Sequence, residues 1–110
     1  MKRVQRKRSP GWRMPPNTKY VGRPTKFGNP FNAKELGNKE AVKRYEECLS
    51  NPHMVYVYFD EIEASIQCER FQYMKDNLFT LAGLNLACFC PLDVPCHVDV
   101  IVNKLKEILG

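Results

Sequence analysis

Four side chains with metal-binding or nucleophilic chemistry lie within ten residues of the chain, at Cys88, Cys90, Cys96 and His97. Thiolates and imidazoles are the usual ligands of structural zinc. A Cys-x-Cys pair on a strand places both thiols on one face, which suits a metal. The adjacent Cys96 and His97 would diverge by about 100° on a helix, which makes joint chelation awkward. Zinc bound by these four residues is therefore the alternative interpretation, and the leading one expects no cofactor.

The leading interpretation of the same segment is a ligand-binding or catalytic site. A strand followed directly by a helix N-terminus is where open α/β sheets bind ligands, and the helix dipole attracts anions and favours a thiolate. We expect Cys96, His97 and Cys90 to be the catalytic candidates, with a Cys/His pair attacking a glycosidic or phosphoester bond. A third interpretation, best suited to Cys88, is that small buried cysteines pack the strand-helix junction.

A second candidate motif is the loop from Tyr20 to Phe31, which contains Gly-Arg-Pro and Gly-Asn-Pro. Its glycines allow close approach of a ligand, its arginine suits phosphate, and its asparagine can pair with a base, ribose or amide. Nearby aromatic rings can stack on a base. The alternative is a rigid loop whose arginine caps carbonyls. The predicted ligand-binding residues are Arg6, Trp12, Gly22, Arg23, Phe27, Gly28 and Asn29.

The distribution of charge supports an anionic partner. Residues 1–34 contain ten lysines and arginines and no acid, whereas residues 35–110 contain seven basic and twelve acidic side chains. A segment this basic predicts contact with a phosphate, a nucleotide or nucleic acid. The loop is neither a phosphate-binding P-loop nor a Gly-x-Gly-x-x-Gly fingerprint, which excludes a standard nucleoside triphosphate or dinucleotide site.

The elements that must position these residues alternate between strands and helices. Strands are expected at Met1–Arg6, near Tyr20, and at Leu84–Cys90, with a further strand or a helix lead-in at His53–Phe59. Helices are expected at Lys39–Leu49, after an Asp60 cap, and from about Pro95 to Leu109, where Asp93 is a suitable N-cap. This order predicts an α/β fold, a small Rossmann-like three-layer domain with a short, mostly parallel sheet of three or four strands flanked by helices.

Length and composition limit the remaining possibilities. We expect the 110 residues to form a single domain, 1–110, because this length is typical of one domain and the hydrophobic content of 44% is ordinary. No stretch approaches the roughly 18 apolar residues of a membrane span, so we expect no membrane partner. Five cysteines, an odd number, and a basic N-terminus without an apolar region after it indicate reduced thiols, no secretory signal and a cytoplasmic location.

Both motifs together resemble a family of bacterial and phage proteins catalogued as domain of unknown function 4326. That family often has tryptophan where this chain has Phe27 and Phe89. The final segment also resembles, more loosely, small α/β proteins with a Cys-His-Arg helix start, although Val98 replaces the arginine here. The residues that carry the main resemblance are Val4-Gln-Arg6, Gly11-Trp12, Pro15, Tyr20–Pro24, Phe27–Phe31, Leu86–Pro91 and Pro95–His97.

These observations lead to one main functional hypothesis and two alternatives. The main one is binding, and enzymatic processing, of a nucleotide or nucleoside derivative in a cleft between the two motifs. The first alternative is a zinc-stabilised, non-catalytic protein that binds nucleic acid through the basic segment. The second is a phage-type inhibitor that sequesters a host factor. The main hypothesis requires Arg23, Asn29, Cys96 and His97 to meet in one cleft.

Overall fold

The computed structural model describes residues 1–109 and has a three-stranded parallel sheet flanked by helices. This confirms the predicted small α/β fold. The sheet order is β1-β3-β2, and Ala87 in the central strand pairs with Val4 on one side and Tyr20 on the other. The elements are β1 (Arg3–Gln5), β2 (Thr18–Tyr20), α1 (Ala33–Leu36), α2 (Asn38–Ser50), α3 (Val55–Tyr58), α4 (Glu61–Asn77), β3 (Asn85–Cys88) and α5 (His97–Leu109).

The sheet has three strands because the segment His53–Phe59 is helical. Its aromatic and β-branched residues favoured a strand locally, yet Pro52–Met54 form a 3₁₀ turn that continues into α3. The Asn51 side chain accepts a hydrogen bond from the backbone N–H of His53, and Pro52 occupies the first turn, where its missing N–H is no loss. Capping and packing against α4 therefore override the local strand propensity.

The long helix α4 begins as predicted, with the Asp60 carboxylate accepting a hydrogen bond from the backbone N–H of Glu63. Its isoleucines Ile62 and Ile66 lie at helical spacing and favour burial by residue type, yet they are 79% and 56% exposed. The face that enters the core consists of Ala64, Gln67, Phe71 and Met74.

The hydrophobic core lies between the sheet and the helices. β3 contributes Leu86, α2 contributes Tyr45 and Leu49, and α5 contributes Ile101 and Leu105, all almost fully buried. The Tyr45 hydroxyl donates a hydrogen bond to the Phe27 carbonyl oxygen at 2.8 Å, which anchors the loop after β2 to this core. Within residues 1–109, no helix combines the length and the apolar character needed to cross a membrane.

The parallel arrangement determines where chemistry can concentrate. Both outer strands run parallel to β3, so the segments that follow all three strands emerge at the same edge of the sheet. These segments contain Arg6 and Arg8 after β1, Val21–Arg23 after β2, and Phe89–Cys90 after β3. Both predicted motifs therefore begin at the carboxyl edge of one sheet.

Candidate functional site

A single cavity of about 470 Å³ lies at the carboxyl edge of the sheet, and we refer to it as the carboxyl-edge cavity. Four residues that the sequence assigned to one cleft, Arg23, Asn29, Cys96 and His97, all line it. The two motifs therefore meet at one cavity, and a ligand-binding or catalytic role for their residues stays a prediction. The wall also includes the first residues of α2 and α5, which place two helix N-termini at the cavity.

The cysteine and histidine side chains form the most buried part of this wall. Cys96 is 1% exposed and His97 is 4% exposed, while Cys90 is half-buried. The Sγ atoms of Cys88 and Cys90 are 3.8 Å apart, and the Sγ of Cys96 is 3.6 Å from Nδ1 of His97. The ligand atoms of Cys88, Cys96 and His97 all lie within 4.8 Å of one another. We call these four side chains the cysteine-histidine cluster.

The expected divergence of Cys96 and His97 does not occur. The rule of about 100° per residue applies inside a helix, whereas α5 begins at His97 and leaves Cys96 in the preceding turn. The backbone N–H of Cys96 donates to the Asp99 carboxylate at 3.2 Å, which fixes this turn. The predicted cap Asp93 was wrong, because it lies three residues before the turn that Asp99 closes.

Hydrogen bonding among the three thiols favours ionisation of one of them over the other two. Hydrogen bonds from the thiols of Cys90 and Cys96 lower the pKa of Cys88, and the same interactions raise the pKa of Cys90 and of Cys96. Burial lowers the pKa of His97, so the imidazole is neutral at pH 7. The cluster therefore favours one thiolate at Cys88 beside a neutral histidine.

The loop residues Arg23 and Asn29 are at the cavity, but their polar groups bind the loop itself. The Arg23 side chain donates from Nε to the Asn29 carbonyl at 2.7 Å and from Nη2 to the Phe31 carbonyl at 3.1 Å. The Asn29 amide donates to the Ala41 carbonyl, and its oxygen accepts from the Phe31 N–H. These contacts match the carbonyl-capping alternative, and a role for either side chain in binding a ligand stays a prediction.

The two glycines of this loop are also explained by internal packing. A Cβ on Gly28 would lie 3.0 Å from the Arg23 backbone nitrogen, and one on Gly22 would lie 2.5 Å from the Tyr20 hydroxyl oxygen. Backbone atoms crowd the position of a side chain at Gly28, whereas a side chain at Gly22 would have to displace the Tyr20 ring. Gly22 lines the cavity, whereas Gly28 is buried behind it.

The structure does not bring three of the predicted aromatic and basic ligands to the cavity wall within residues 1–109. Phe27 is only 5% exposed and belongs to the core. Trp12 is half-buried in the Pro-rich loop before β2, away from the cavity lining. The Arg6 guanidinium lies over the rings of Tyr20 and Phe89, at 4.5 and 5.2 Å from their centroids, and so supports the wall from behind.

Other residues that line the cavity were not predicted from sequence. Arg8 and Lys34 are exposed cations at its rim, and Phe89 presents a half-buried ring. Asn32 and Asn38 stand at the starts of α1 and α2. Both helix starts could have been predicted from sequence, because asparagine is a common residue at the start of a helix. Arg8 was hidden among the other cations of the N-terminal segment.

The fold and the site define a small α/β domain whose ligand-sized cavity lies at the carboxyl edge of a parallel sheet, next to a cysteine-histidine cluster. The model of the family described as "Domain of unknown function (DUF4326)" matches residues 4–107, so the chain belongs to that family. No curated protein and no solved structure matches it.

Proposed function

We propose that this chain binds a nucleotide or nucleoside derivative in the carboxyl-edge cavity. The observation that carries this proposal is that α2 and α5, helices of 13 residues each, begin at the same cavity wall. A helix N-terminus attracts anions through its free N–H groups and its dipole, and two such ends at one cavity reinforce each other. The exposed cations Arg8 and Lys34 add positive charge at the rim.

The rest of the cavity suits the sugar and base of such a ligand. A volume of about 470 Å³ falls within the roughly 300–1,000 Å³ of small-molecule sites. The Phe89 ring offers a stacking surface that already holds the Arg8 guanidinium at 4.6 Å from its centroid. A planar base stacking against this pair would use the same attraction between π-systems and the guanidinium.

The proposal is limited to binding, because the Cys96-His97 pair lacks the properties of an activated nucleophile. The pKa of Cys96 is raised by its hydrogen bonds to Cys88 and Cys90, so its thiol is neutral at pH 7. Nδ1 of His97 faces Cys96 at 3.6 Å, but both side chains are almost fully buried. Arrangement and burial therefore favour a structural or metal-binding role for this pair.

Contacts within the basic segment favour a small ligand over an extended nucleic acid. Arg3 forms an ion pair with Asp99 at 2.9 Å, Arg6 stacks on Tyr20, and Arg23 binds loop carbonyls. Three of the cations that gave residues 1–34 their charge are therefore engaged inside the fold. Nucleic-acid binding depends on cations that are free to reach phosphates along a strand.

Isothermal titration calorimetry tests the proposal with AMP, GMP, CMP and UMP, and with inorganic phosphate and a short single-stranded oligonucleotide as separate arms. We expect at least one nucleotide to bind with a Kd below about 1 mM and more tightly than inorganic phosphate, because base and sugar contacts add to the phosphate contact. Tighter binding of the oligonucleotide than of any mononucleotide would favour the nucleic-acid alternative and contradict the proposal.

Two matched arginine variants locate the binding site. Arg8→Ala removes an exposed cation from the cavity rim, and Arg13→Ala removes an exposed cation outside the cavity lining. We expect Arg8→Ala to weaken nucleotide binding about tenfold, or about 1.4 kcal/mol, and Arg13→Ala to leave it unchanged. Equal weakening by both variants would show that binding depends on net charge and not on this cavity.

A further inference from the structure

We propose that the cysteine-histidine cluster binds one Zn²⁺ ion, with Sγ of Cys88, Cys90 and Cys96 and Nδ1 of His97 as the four ligand atoms. The proposal rests on the geometry of the cluster and not on the proposed nucleotide site, although the cluster lines the same carboxyl-edge cavity. Three thiolates and one imidazole in a closed tetrahedral shell are typical of structural zinc, and such soft donors disfavour Mg²⁺ and Ca²⁺.

The distances inside the cluster match those of a tetrahedral zinc centre. Zinc bonds of about 2.3 Å to sulfur and about 2.0–2.1 Å to nitrogen place ligand pairs about 3.8 Å apart for two sulfurs and about 3.6 Å apart for sulfur and nitrogen. The Cys88–Cys90 sulfurs are 3.8 Å apart, and Cys96 Sγ is 3.6 Å from His97 Nδ1. Cys88, Cys96 and His97 lie within 4.8 Å of one another, so closing these three ligands around the ion requires a contraction of at most about 1 Å. Cys90 joins them through its contact with Cys88.

The outer hydrogen bond of His97 directs the correct nitrogen to the metal. Its Nε2 lies 2.9 Å from the backbone carbonyl oxygen of Val21, which can only accept a hydrogen bond. The proton of the neutral ring is therefore on Nε2, and the lone pair of Nδ1 points at the thiols. Metal-bound histidines generally donate their second N–H to a carbonyl or carboxylate in this manner. The Tyr45 ring packs edge-on against the imidazole, with centroids 5.2 Å apart, and holds this orientation.

The surroundings can accept the charge of the metal centre. All three sulfurs bind as thiolates, so the protons that the thiols still carry are released to solvent, and the centre has one net negative charge. The dipole of α5 offsets this charge at the helix N-terminus, which leaves the N-terminus of α2 and the rim cations Arg8 and Lys34 to attract a phosphate when zinc is bound. Arg3 lies nearby, since it binds both the Asp99 carboxylate and the Pro91 carbonyl oxygen.

The topology gives the ion a clear structural purpose. Cys88 ends β3 and Cys90 follows it, whereas Cys96 lies in the turn before α5 and His97 begins that helix. His97 also reaches the segment after β2 through the Val21 carbonyl. The connection between β3 and α5 contains Pro91, Asp93 and Pro95 and has no helix or strand of its own. A zinc ion would join both ends of this connection and hold α5 against the sheet.

The experiment measures metal content after expression in zinc-supplemented medium, purification without chelator and dialysis. We expect one zinc per chain by elemental analysis. Cys96→Ser and His97→Gln should retain less than about one-tenth of an ion per chain. Cys48→Ser is the matched control for Cys96→Ser, because both thiols are almost fully buried and Cys48 lies outside the cluster. Cys48→Ser should retain the full complement.

Cobalt substitution of the wild-type protein gives a readout that does not require the variants to fold. Apoprotein loaded with Co²⁺ should show the intense visible bands of tetrahedral coordination and near-ultraviolet sulfur-to-cobalt charge transfer. The charge-transfer intensity should fall in Cys90→Ser and not in Cys68→Ser, a half-buried control on α4. The proposal would be overturned if the purified protein contained no metal and its thermal unfolding temperature changed neither on addition of zinc nor on addition of chelator. So would iron or copper in place of zinc, or octahedral cobalt spectra.

Discussion

The loop after β2 and the cysteine-histidine cluster both follow parallel strands and both line one cavity, yet they use their polar groups differently. In the loop, Arg23 and Asn29 bind backbone carbonyls of the loop and of α2. In the cluster, the thiols and Nδ1 of His97 face one another, and only Nε2 binds a backbone carbonyl.

The difference follows from what each segment's backbone requires. An irregular loop leaves carbonyl groups without strand or helix partners, and those that are buried need donors. Arg23 and Asn29 supply such donors at the cavity wall. The cluster lies beside a strand and a helix that satisfy most of their own backbone groups, so its side chains remain free for a ligand. A reactive residue type after a strand therefore indicates function only when its donors and acceptors are not already required by the local backbone.

The comparison predicts that Arg23 contributes mainly to stability. Arg23→Ala leaves the Asn29 and Phe31 carbonyls without their guanidinium donors, and we expect a loss of about 2 kcal/mol in the free energy of unfolding, measured in urea. Arg23→Lys should recover less than half of this loss, because one ammonium cannot reproduce the planar fork. Arg13→Ala, an exposed control, should change stability by less than about 0.5 kcal/mol. Normal stability of Arg23→Ala with lost nucleotide binding would reverse the comparison.

A smaller effect is expected from the amide of Asn29. Asn29→Asp keeps the oxygen that accepts from the Phe31 N–H but removes the donor to the Ala41 carbonyl, placing two acceptors together. We expect a loss of about 1 kcal/mol by urea unfolding at pH 7. The control is Asn32→Asp, because the Asn32 side chain only accepts a hydrogen bond, from the Lys34 N–H at the start of α1, and aspartate caps equally well. Equal effects of the two changes would contradict the role of Asn29 as a donor.

The sequence predicted most elements and the meeting of the two motifs, but not how individual side chains are used. The Asp60 cap and the final helix are local signals, and both predictions were correct. The choice between a strand and a helix lead-in at His53–Phe59, and the buried face of α4, depend on packing that local propensity does not contain. The partners of Arg23 and Asn29 are backbone atoms of the same loop and of α2, which no residue type reveals.

The smallest expected effect concerns the stability of the cysteine-histidine cluster without its proposed metal. In protein kept free of metal with a chelator, Cys90→Ser should change the free energy of unfolding by less than about 0.5 kcal/mol, because this half-buried thiol has only other side chains as partners. Cys68→Ser, half-buried on α4, should behave the same under these conditions. With zinc present, only Cys90→Ser should fall below wild type in thermal unfolding, since it alone removes a proposed ligand. A loss above about 2 kcal/mol for metal-free Cys90→Ser would instead mean that the thiol packs the strand-helix junction, and the cluster would then resemble the loop.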